Sequence, residues 1–271
     1  MFKNLNGKKV ILGLVHLKPM PGTPQYQEQY LEEMTRKAIR DCITLKENGA
    51  DGGLIQSVDN IYPVSDDTDY IRVATISMIA ARVRDAVGPD FKMGVQLMWN
   101  CITPSLAACK ATGADFTRCT ALVGSSPSPF GGTVSGDPLK IMDYRHKIGA
   151  QDVAMLAEIS GYHFQGEYNP KTVQNLAGMA MRVGADAVEV VDRNEARNEQ
   201  LILDVKALPG NIPVILGGGT DVENCKRRLR YADGALVGTA FEGGRWGGPI
   251  LGDIVADYMK NIRELEEELA K

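Results

Sequence analysis

Short apolar runs alternate with amphipathic stretches about eight times along the chain. The apolar runs are aliphatic on both faces, which is typical of parallel strands covered on both sides. The predicted strands are residues 10–16, 53–56, 93–98, 116–119, 153–159, 187–191, 214–216 and 235–237. In the stretches between them apolar residues recur at steps of three and four, which indicates helices with one apolar stripe. The pattern therefore predicts repeated β/α units.

A recurring tripeptide supports a cyclic arrangement of these units. Gly-Ala-Asp occurs at residues 49–51, 113–115 and 184–186, each time after a predicted helix and before a predicted strand, with a looser copy at 149–152. Glycine suits the left-handed position that ends a helix. The length of 271 residues is close to the roughly 250 of an eightfold barrel. We predict a single (β/α)8 TIM barrel over residues 1–271, with an open doubly wound sheet as the alternative.

One long irregular stretch, residues 120–138, interrupts the β/α pattern. It is rich in Gly, Ser and Pro and follows the fourth predicted strand. A structureless loop of this length within a compact domain is usually a lid or a binding loop. We therefore expect it at the carboxyl ends of the strands.

Charge and composition restrict the partners. The net charge of −4 and the pI near 5.5 argue against nucleic acid, which requires a basic face. No apolar run reaches the roughly 18 residues of a membrane span, and no signal peptide is recognisable. The five scattered cysteines suit reduced thiols in a cytoplasm. The many aliphatic positions on the outer helices predict a homodimer or a higher homo-oligomer.

Glycines follow the last two predicted strands. Three consecutive glycines allow a backbone to approach a ligand closely, and a helix start at Asp221 would add positive potential. Many barrels bind phosphate with these two loops. We predict a phosphate site whose members are Gly217, Gly218, Gly219, Thr220, Gly238 and Thr239.

Ionisable side chains lie near the carboxyl ends of the other strands, where barrel enzymes place their catalytic groups. The candidates for acid, base and charge stabilisation are His16, Arg118, Glu158, His163, Glu189 and Asp192. Two interpretations of the carboxylates stay open. They could hold a divalent metal together with His163, or Glu158 and Glu189 could neutralise Arg118. No cofactor is certain.

Residues in and after the second and third strands, all of them amides except the carboxylate Asp59, suit substrate binding more than proton transfer. The candidates are Gln56, Asp59, Gln96 and Asn100. No predicted strand ends in Lys, so a Schiff-base mechanism is not indicated.

The segment His16-Leu17-Lys18-Pro19-Met20-Pro21-Gly22 resembles the His-Leu-x-Pro-x-Pro-Gly signature of the BtpA/SgcQ family. Residues 49–53, 113–118, 143–150, 217–220 and 237–240 agree as well, so the resemblance spans nearly the whole chain. It implies a barrel related to the phosphate-binding barrels. One branch of the family is named for a role in photosystem I accumulation and another for a sugar-utilisation gene cluster.

The departures from the family pattern concern the predicted catalytic end. The chain has residues 56–60 where the family tends to have Glu-Asn-Phe, and the segments 158–163 and 191–195 also differ from the usual patterns. We expect a divergent enzyme that acts on a small phosphorylated, sugar-like metabolite by lyase, isomerase or glycosidic-bond chemistry. The alternative is a non-catalytic binding or assembly factor.

Overall fold

Eight parallel strands close into a barrel in the computed structural model, which describes residues 1–2, 5–165 and 169–271. The barrel strands are β1 (Val10–His16), β2 (Gly52–Gln56), β3 (Lys92–Gln96), β4 (Phe116–Cys119), β7 (Ala154–Ser160), β8 (Ala187–Val190), β9 (Val214–Leu216) and β10 (Gly234–Val237). Around the barrel the order is β1, β10, β9, β8, β7, β4, β3, β2. The predicted TIM barrel is confirmed, and the open doubly wound alternative is wrong because β1 pairs with β10.

Helices cover the outside of the barrel. They are α1 (Tyr30–Glu47), α2 (Tyr70–Val87), α3 (Ile102–Thr112), α4 (Pro138–Lys147), α5 (Pro170–Arg182), α6 (Glu195–Lys206), α7 (Cys225–Arg228) and α8 (Gly252–Leu269). The predicted stripe of α1 is buried at Met34, Ala38, Cys42 and Leu45. Within the described residues, no helix is long and apolar enough to cross a membrane. All five cysteines are buried free thiols.

Large apolar side chains fill the barrel interior. This core contains Phe2, Val10, Leu12, Leu14, Leu54, Phe116, Ala154, Leu156, Ala187, Ile215 and Leu236. Phe2 packs edge-on against Phe116, with 6.1 Å between ring centroids. The interior is therefore a packed core rather than a channel.

The carboxyl end of the barrel carries a layer of polar side chains above this core. Register pairs His16 with Gln56 and Gln56 with Gln96, so these three side chains lie at one level. Arg118 on β4 and Glu189 on β8 also belong to the polar end of the barrel and are buried. At the ends of β9 and β10, glycine follows the strand directly in place of a polar side chain.

The opposite end is held by four aspartates, which we name the aspartate clamps. Each precedes one strand, and its carboxylate accepts the N–H of a residue in the preceding barrel strand. Its own N–H donates back to that residue's carbonyl oxygen. The four pairs and their N–H to carboxylate distances are Asp51 with Ile11 (2.8 Å), Asp115 with Met93 (3.0 Å), Asp186 with Met155 (3.0 Å) and Asp233 with Val214 (2.7 Å).

Two loops differ from the sequence prediction. The stretch 120–138 is not structureless, because β5 (Ser125–Pro127) and β6 (Thr133–Ser135) form an antiparallel hairpin within it. The helix expected to start at Asp221 is instead a turn, in which the Asp221 carboxylate accepts the N–H groups of Glu223 and Asn224. A one-turn helix, α7, begins only at Cys225.

Candidate functional site

A cavity of about 970 Å³ opens at the carboxyl ends of the barrel strands. Its walls come from β1, β2 and β4 and from the loops after β2, β3, β7, β9 and β10, so barrel closure collects residues that are far apart in sequence. Ten of the predicted site residues line it: His16, Gln56, Arg118, His163, Gly217, Gly218, Gly219, Thr220, Gly238 and Thr239. The cavity is the site that the polar layer and the glycine loops define together.

The two glycine loops present unpaired backbone donors to the cavity. Three consecutive backbone N–H groups in each loop have no hydrogen-bond partner among the described residues. They are those of Gly218, Gly219, Thr220, Gly238, Thr239 and Ala240. Gly218 and Gly219 have φ angles of 133° and 73°, which L side chains rarely adopt. The backbone conformation of this part of the cavity wall therefore depends on glycine.

Two further glycines make room for neighbouring functional side chains. A Cβ atom at Gly217 would overlap the Glu189 carboxylate. A Cβ atom at Gly238 would lie 3.1 Å from Cε1 of His16. The absence of side chains at the ends of β9 and β10 thus leaves space both for a ligand and for the polar layer.

His163 and Glu158 form a buried dyad on the β7 side. Nδ1 of His163 lies 2.8 Å from Oε2 of Glu158. The other carboxylate oxygen accepts the backbone N–H groups of His163, at 2.8 Å, and Phe164, at 3.2 Å. With Nδ1–H donating to the carboxylate, Nε2 is the acceptor that His163 offers to the cavity.

The pKa values of both Glu158 and His163 are lowered, each by the balance between burial and nearby charges. Burial would raise the pKa of Glu158, but His163, Arg118 and the N–H donors outweigh it and lower the pKa to about 2. Burial lowers the pKa of His163 below its usual value, although the Glu158 charge opposes this. Near neutral pH, the dyad is a carboxylate with a neutral imidazole.

Arg118 links two buried carboxylates below the cavity. Its Nε donates to Oε2 of Glu189 at 2.6 Å, its Nη2 donates to the other oxygen of Glu189, and Nη2 lies 3.6 Å from Glu158. Burial, with the Glu158 charge adding to it, raises the pKa of Glu189 to about 7. The geometry matches the interpretation in which these carboxylates neutralise Arg118.

His16 forms a second histidine–carboxylate pair on the β1 side. Nδ1 of His16 lies 3.0 Å from Oε1 of Glu242, which is fully buried. The other oxygen of Glu242 accepts the N–H of Gly247 at 3.0 Å. Sequence reasoning missed Glu242, because it follows the eighth barrel strand by five residues in a glycine-rich loop. Its position between the apolar Phe241 and two glycines was the available signal.

The two histidines lie on opposite walls. β1 and β7 are four positions apart in either direction around the barrel. The imidazoles are still close enough for a charge on His16 to lower the pKa of His163. The two dyads therefore face a ligand from two sides.

Several predicted residues lie outside the cavity wall. Asp59 is buried in an ion pair with Arg72, and Asp192 pairs with Arg197 at 3.3 Å and accepts the N–H of Asn194. Asn100 accepts the N–H of Ala121 with its side-chain oxygen. The remaining members of this group, which are buried but do not line the cavity, are Glu158, Glu189 and Gln96.

No cluster of three or more His, Cys, Asp or Glu side chains suited to a metal ion occurs in the described ranges. The carboxylates proposed as ligands are engaged elsewhere: Glu189 holds Arg118, and Asp192 faces the start of α6. The structure does not bring Asp192 together with Glu158 and His163 in one wall.

Comparison with known proteins identifies relatives along almost the full length. The family model described as the BtpA family matches residues 7–265. An uncharacterised protein from Archaeoglobus fulgidus is 29% identical over 242 residues, which cover 88% of this chain and 93% of the relative. The photosystem I biogenesis protein BtpA from Synechocystis is 23% identical and covers 89% of this chain and 83% of its own.

Solved structures share the fold at low identity. Thiamine phosphate pyrophosphorylase from Pyrococcus furiosus superposes with a TM-score of 0.57 at 16% identity, covering 96% of this chain and 98% of its own. This likeness supports the barrel architecture.

Proposed function

The chain belongs to the BtpA family, and from the geometry of its cavity we propose that it is an enzyme that transfers a proton at a carbon atom of a small phosphorylated metabolite. The observation that carries the proposal is the meeting of six unpaired backbone N–H groups and two histidine–carboxylate dyads in one cavity. Aldose–ketose isomerisation and β-elimination both begin with such a transfer.

The glycine loops are the proposed phosphate site. A phosphate ester presents several acceptor oxygens, which match a concave set of backbone N–H donors without needing Lys or Arg. The site consists of the loops 217–220 and 238–240. The exposed Gly219 and Thr239 leave it open to solvent on one side. A bound phosphate would place the carbon skeleton between the histidines.

His163 is the proposed base. Its neutral imidazole, held by the Glu158 carboxylate, has Nε2 free to remove a proton from a carbon next to a carbonyl group. The electron pair of that C–H bond then moves to the carbonyl oxygen, and the resulting enediolate carries the negative charge. Arg118 also lines the cavity, and its positive charge can stabilise the enediolate.

His16 is the proposed partner that returns a proton. It lies on the wall opposite His163. If His16 donates its proton to the neighbouring carbon, the product is an isomer, and if it donates the proton to a leaving group, the product is that of an elimination. Glu242 holds its Nδ1 and so fixes the ring orientation. This step requires that His16 starts protonated. After each turnover His163 releases its proton to water and His16 takes one up from water, so no other co-reactant is needed.

Proton exchange in deuterium oxide tests this function. The wild type is incubated with ribulose 5-phosphate, dihydroxyacetone phosphate and glucose 6-phosphate, and NMR follows the loss of C–H signals next to the carbonyl carbon. We expect exchange with at least one phosphate and none with ribulose, dihydroxyacetone or glucose. His163→Gln should lower the exchange rate by about 10²–10⁴-fold.

The outcomes separate the enzyme from the alternative of a non-catalytic binding factor. Exchange at the wild-type rate in His163→Gln contradicts the role of His163. Binding of the phosphates without any exchange contradicts the enzyme and favours the binding factor. The ionisable groups around the cavity support the enzyme. A homodimer and a cytoplasmic location stay predictions, the first testable by light scattering at micromolar concentration.

A further inference from the structure

The cavity wall formed after β2 and β3 differs in chemistry from the rest of the site. Val58, Tyr62, Met98 and Trp99 line it. The rings of Tyr62 and Trp99 are 5.5 Å apart, and Phe130 from the β5–β6 hairpin packs against both, at 5.1 and 5.3 Å. We call Val58, Tyr62, Met98 and Trp99 the aromatic wall. The proton-transfer chemistry proposed above does not use it.

The aromatic wall lies across the cavity from the phosphate loops. β3, which Met98 and Trp99 follow, is four positions from β9 in either direction around the barrel. The dyads of β1 and β7 lie between these two walls. A ligand with phosphate at Gly218 and Gly219 would therefore pass the histidines before it reaches Trp99.

The cavity is large for a bare sugar phosphate. Its volume of about 970 Å³ is at the upper end of the roughly 300–1,000 Å³ of small-molecule sites. Hydroxyl groups of a sugar would also need several polar partners, whereas four apolar or aromatic side chains form this wall. The space beyond the histidines therefore fits a flat apolar group.

Among the side chains that line the cavity on this side, two buried polar atoms have no partner among the described residues. They are the side-chain oxygen Oε1 of Gln56, which accepts, and Nε1–H of Trp99, which donates. Gln56 is 6% exposed and Trp99 is 9% exposed, and both line the cavity. Unpaired buried polar groups are costly, so a ligand that pairs with them gains affinity.

We propose that the aromatic wall is a subsite for a planar heteroaromatic ring carried at the end of the substrate remote from its phosphate. The ring surface would contact Tyr62 and Trp99, and ring nitrogen or carbonyl groups would pair with Gln56 and Trp99. The substrate class is then a phosphate ester that bears such a ring together with the carbonyl group that the proposed proton transfer requires. Nucleotides share the ring and the phosphate and therefore serve as binding probes. The inference rests on the proposed function, because it places the phosphate at the glycine loops.

Calorimetry on the full chain tests the subsite. The probes are adenosine monophosphate, uridine monophosphate and nicotinamide mononucleotide, with ribose 5-phosphate as the ring-free reference. Base–aromatic contacts strengthen binding enough to expect at least about tenfold tighter binding of one ring-bearing probe. Equal affinity of all four compounds overturns the subsite while leaving the phosphate site intact. Failure of ribose 5-phosphate and inorganic phosphate to bind contradicts the proposed function instead.

Matched tryptophan variants locate the ring. Trp99→Leu should lose the tenfold preference and keep its affinity for ribose 5-phosphate, whereas Trp246→Leu, the same change elsewhere in the cavity, should keep the preference. A preference that survives Trp99→Leu overturns the inference. Gln56→Met, which removes an oxygen that has no partner, should weaken only the ring-bearing probes.

Fluorescence gives a readout that does not depend on changing the subsite. The chain has two tryptophans, so Trp246→Phe leaves Trp99 as the only one. We expect the ring-bearing probe to change the Trp99 emission on binding and ribose 5-phosphate to leave it unchanged. Saturation with the ring-bearing probe without any change in Trp99 emission contradicts a ring at this wall.

Discussion

At the scale of single residues, the properties of His163 come from its neighbours. The side chain is 13% exposed, its Nδ1 is held by Glu158, and its ring packs edge-on against Trp99 with 4.6 Å between centroids. Burial, opposed by the Glu158 charge, holds its pKa below the usual value. A histidine that is neutral at neutral pH can accept a proton there.

Replacing His163 should therefore affect chemistry more than binding. We expect His163→Gln to lower the exchange rate on an active phosphorylated probe by about 10²–10⁴-fold, the usual contribution of a positioned base. Affinity for inorganic phosphate should stay unchanged by calorimetry. The exposed His146 on α4 offers the matched control, and His146→Gln should keep full activity. Equal loss in both variants would contradict the assignment.

The pH dependence of His163 follows from the lowered pKa. NMR titration of its ring should give a midpoint below 6.5, and Glu158→Gln should lower that midpoint further by removing a charge that raises the pKa. Between the two pKa values, the unfolded chain binds a proton at His163 that the folded chain does not. The group's contribution to stability is therefore complete above pH 6.5 and is lost as the pH falls below it. A midpoint above 6.5 would show that the Glu158 charge outweighs burial at this ring.

Sequence reasoning found single functional residues where the residue type itself was unusual for its position. Arg118 within a strand required an acidic partner, and Glu189 and Glu158 are those partners. Glu242 gave only a weak signal, its position in a glycine-rich loop, and the ion pair of Asp59 with Arg72 gave none, because neither residue type is unusual at its position.

At the scale of elements, the ends of β9 and β10 show why glycine follows a barrel strand. The φ angle of Gly217 is not positive, so its backbone conformation does not require glycine. Glycine is required because a Cβ atom there would overlap Glu189. Methyl groups inserted in packed sites cost about 1–3 kcal/mol. We therefore expect Gly217→Ala to destabilise the chain by about that amount, measured by urea unfolding.

The control for this change is Gly178→Ala. Gly178 lies within α5, and nothing lies within 4 Å of a Cβ atom built there. Alanine is favoured over glycine in a helix by roughly 0.5–1 kcal/mol, so this variant should be more stable than the wild type. A Gly217→Ala variant as stable as the wild type would show that Glu189 can move away from Arg118 at no cost.

The barrel elements were predictable because burial on both faces gives each strand a continuous apolar run. β1, β4 and β9 have the predicted ends, whereas β3 ends at Gln96, two residues earlier than predicted. The β5–β6 hairpin was missed, since three-residue strands such as Ser125–Pro127 have no readable alternation. Three of the four aspartate clamps are the last residues of the Gly-Ala-Asp repeats. Asp152 in the looser copy is instead exposed and pairs with Lys110.

At the scale of the whole molecule, a phosphate ligand should stabilise the closed barrel. The two glycine loops belong to β9 and β10, which complete the ring next to β1. A ligand present at about 100 times its Kd adds roughly 2.7 kcal/mol to the free energy of unfolding. Inorganic phosphate at saturation should therefore raise the Tm by several degrees in a thermal scan.

Negative charge in the loops should remove this effect. Gly218→Asp and Thr239→Asp should both abolish the rise in Tm with phosphate. Thr239→Asp separates charge from backbone strain, because Thr239 does not have a positive φ angle. Gly88→Asp changes a glycine with a φ angle of 73° that ends α2, so it controls for backbone strain away from the site. It should melt lower but respond to phosphate like the wild type. An unchanged response in both loop variants would contradict the phosphate site.

The aspartate clamps occur once in every two barrel strands, since they join β1 to β2, β3 to β4, β7 to β8 and β9 to β10. The chain is thus divisible into four two-stranded modules, with every clamp internal to a module. Breaking the polypeptide between residues 150 and 151 leaves two clamped modules in each half. We expect the two separately expressed halves to reassemble on mixing, as followed by size-exclusion chromatography, whereas a break between Ala114 and Asp115 should impair reassembly.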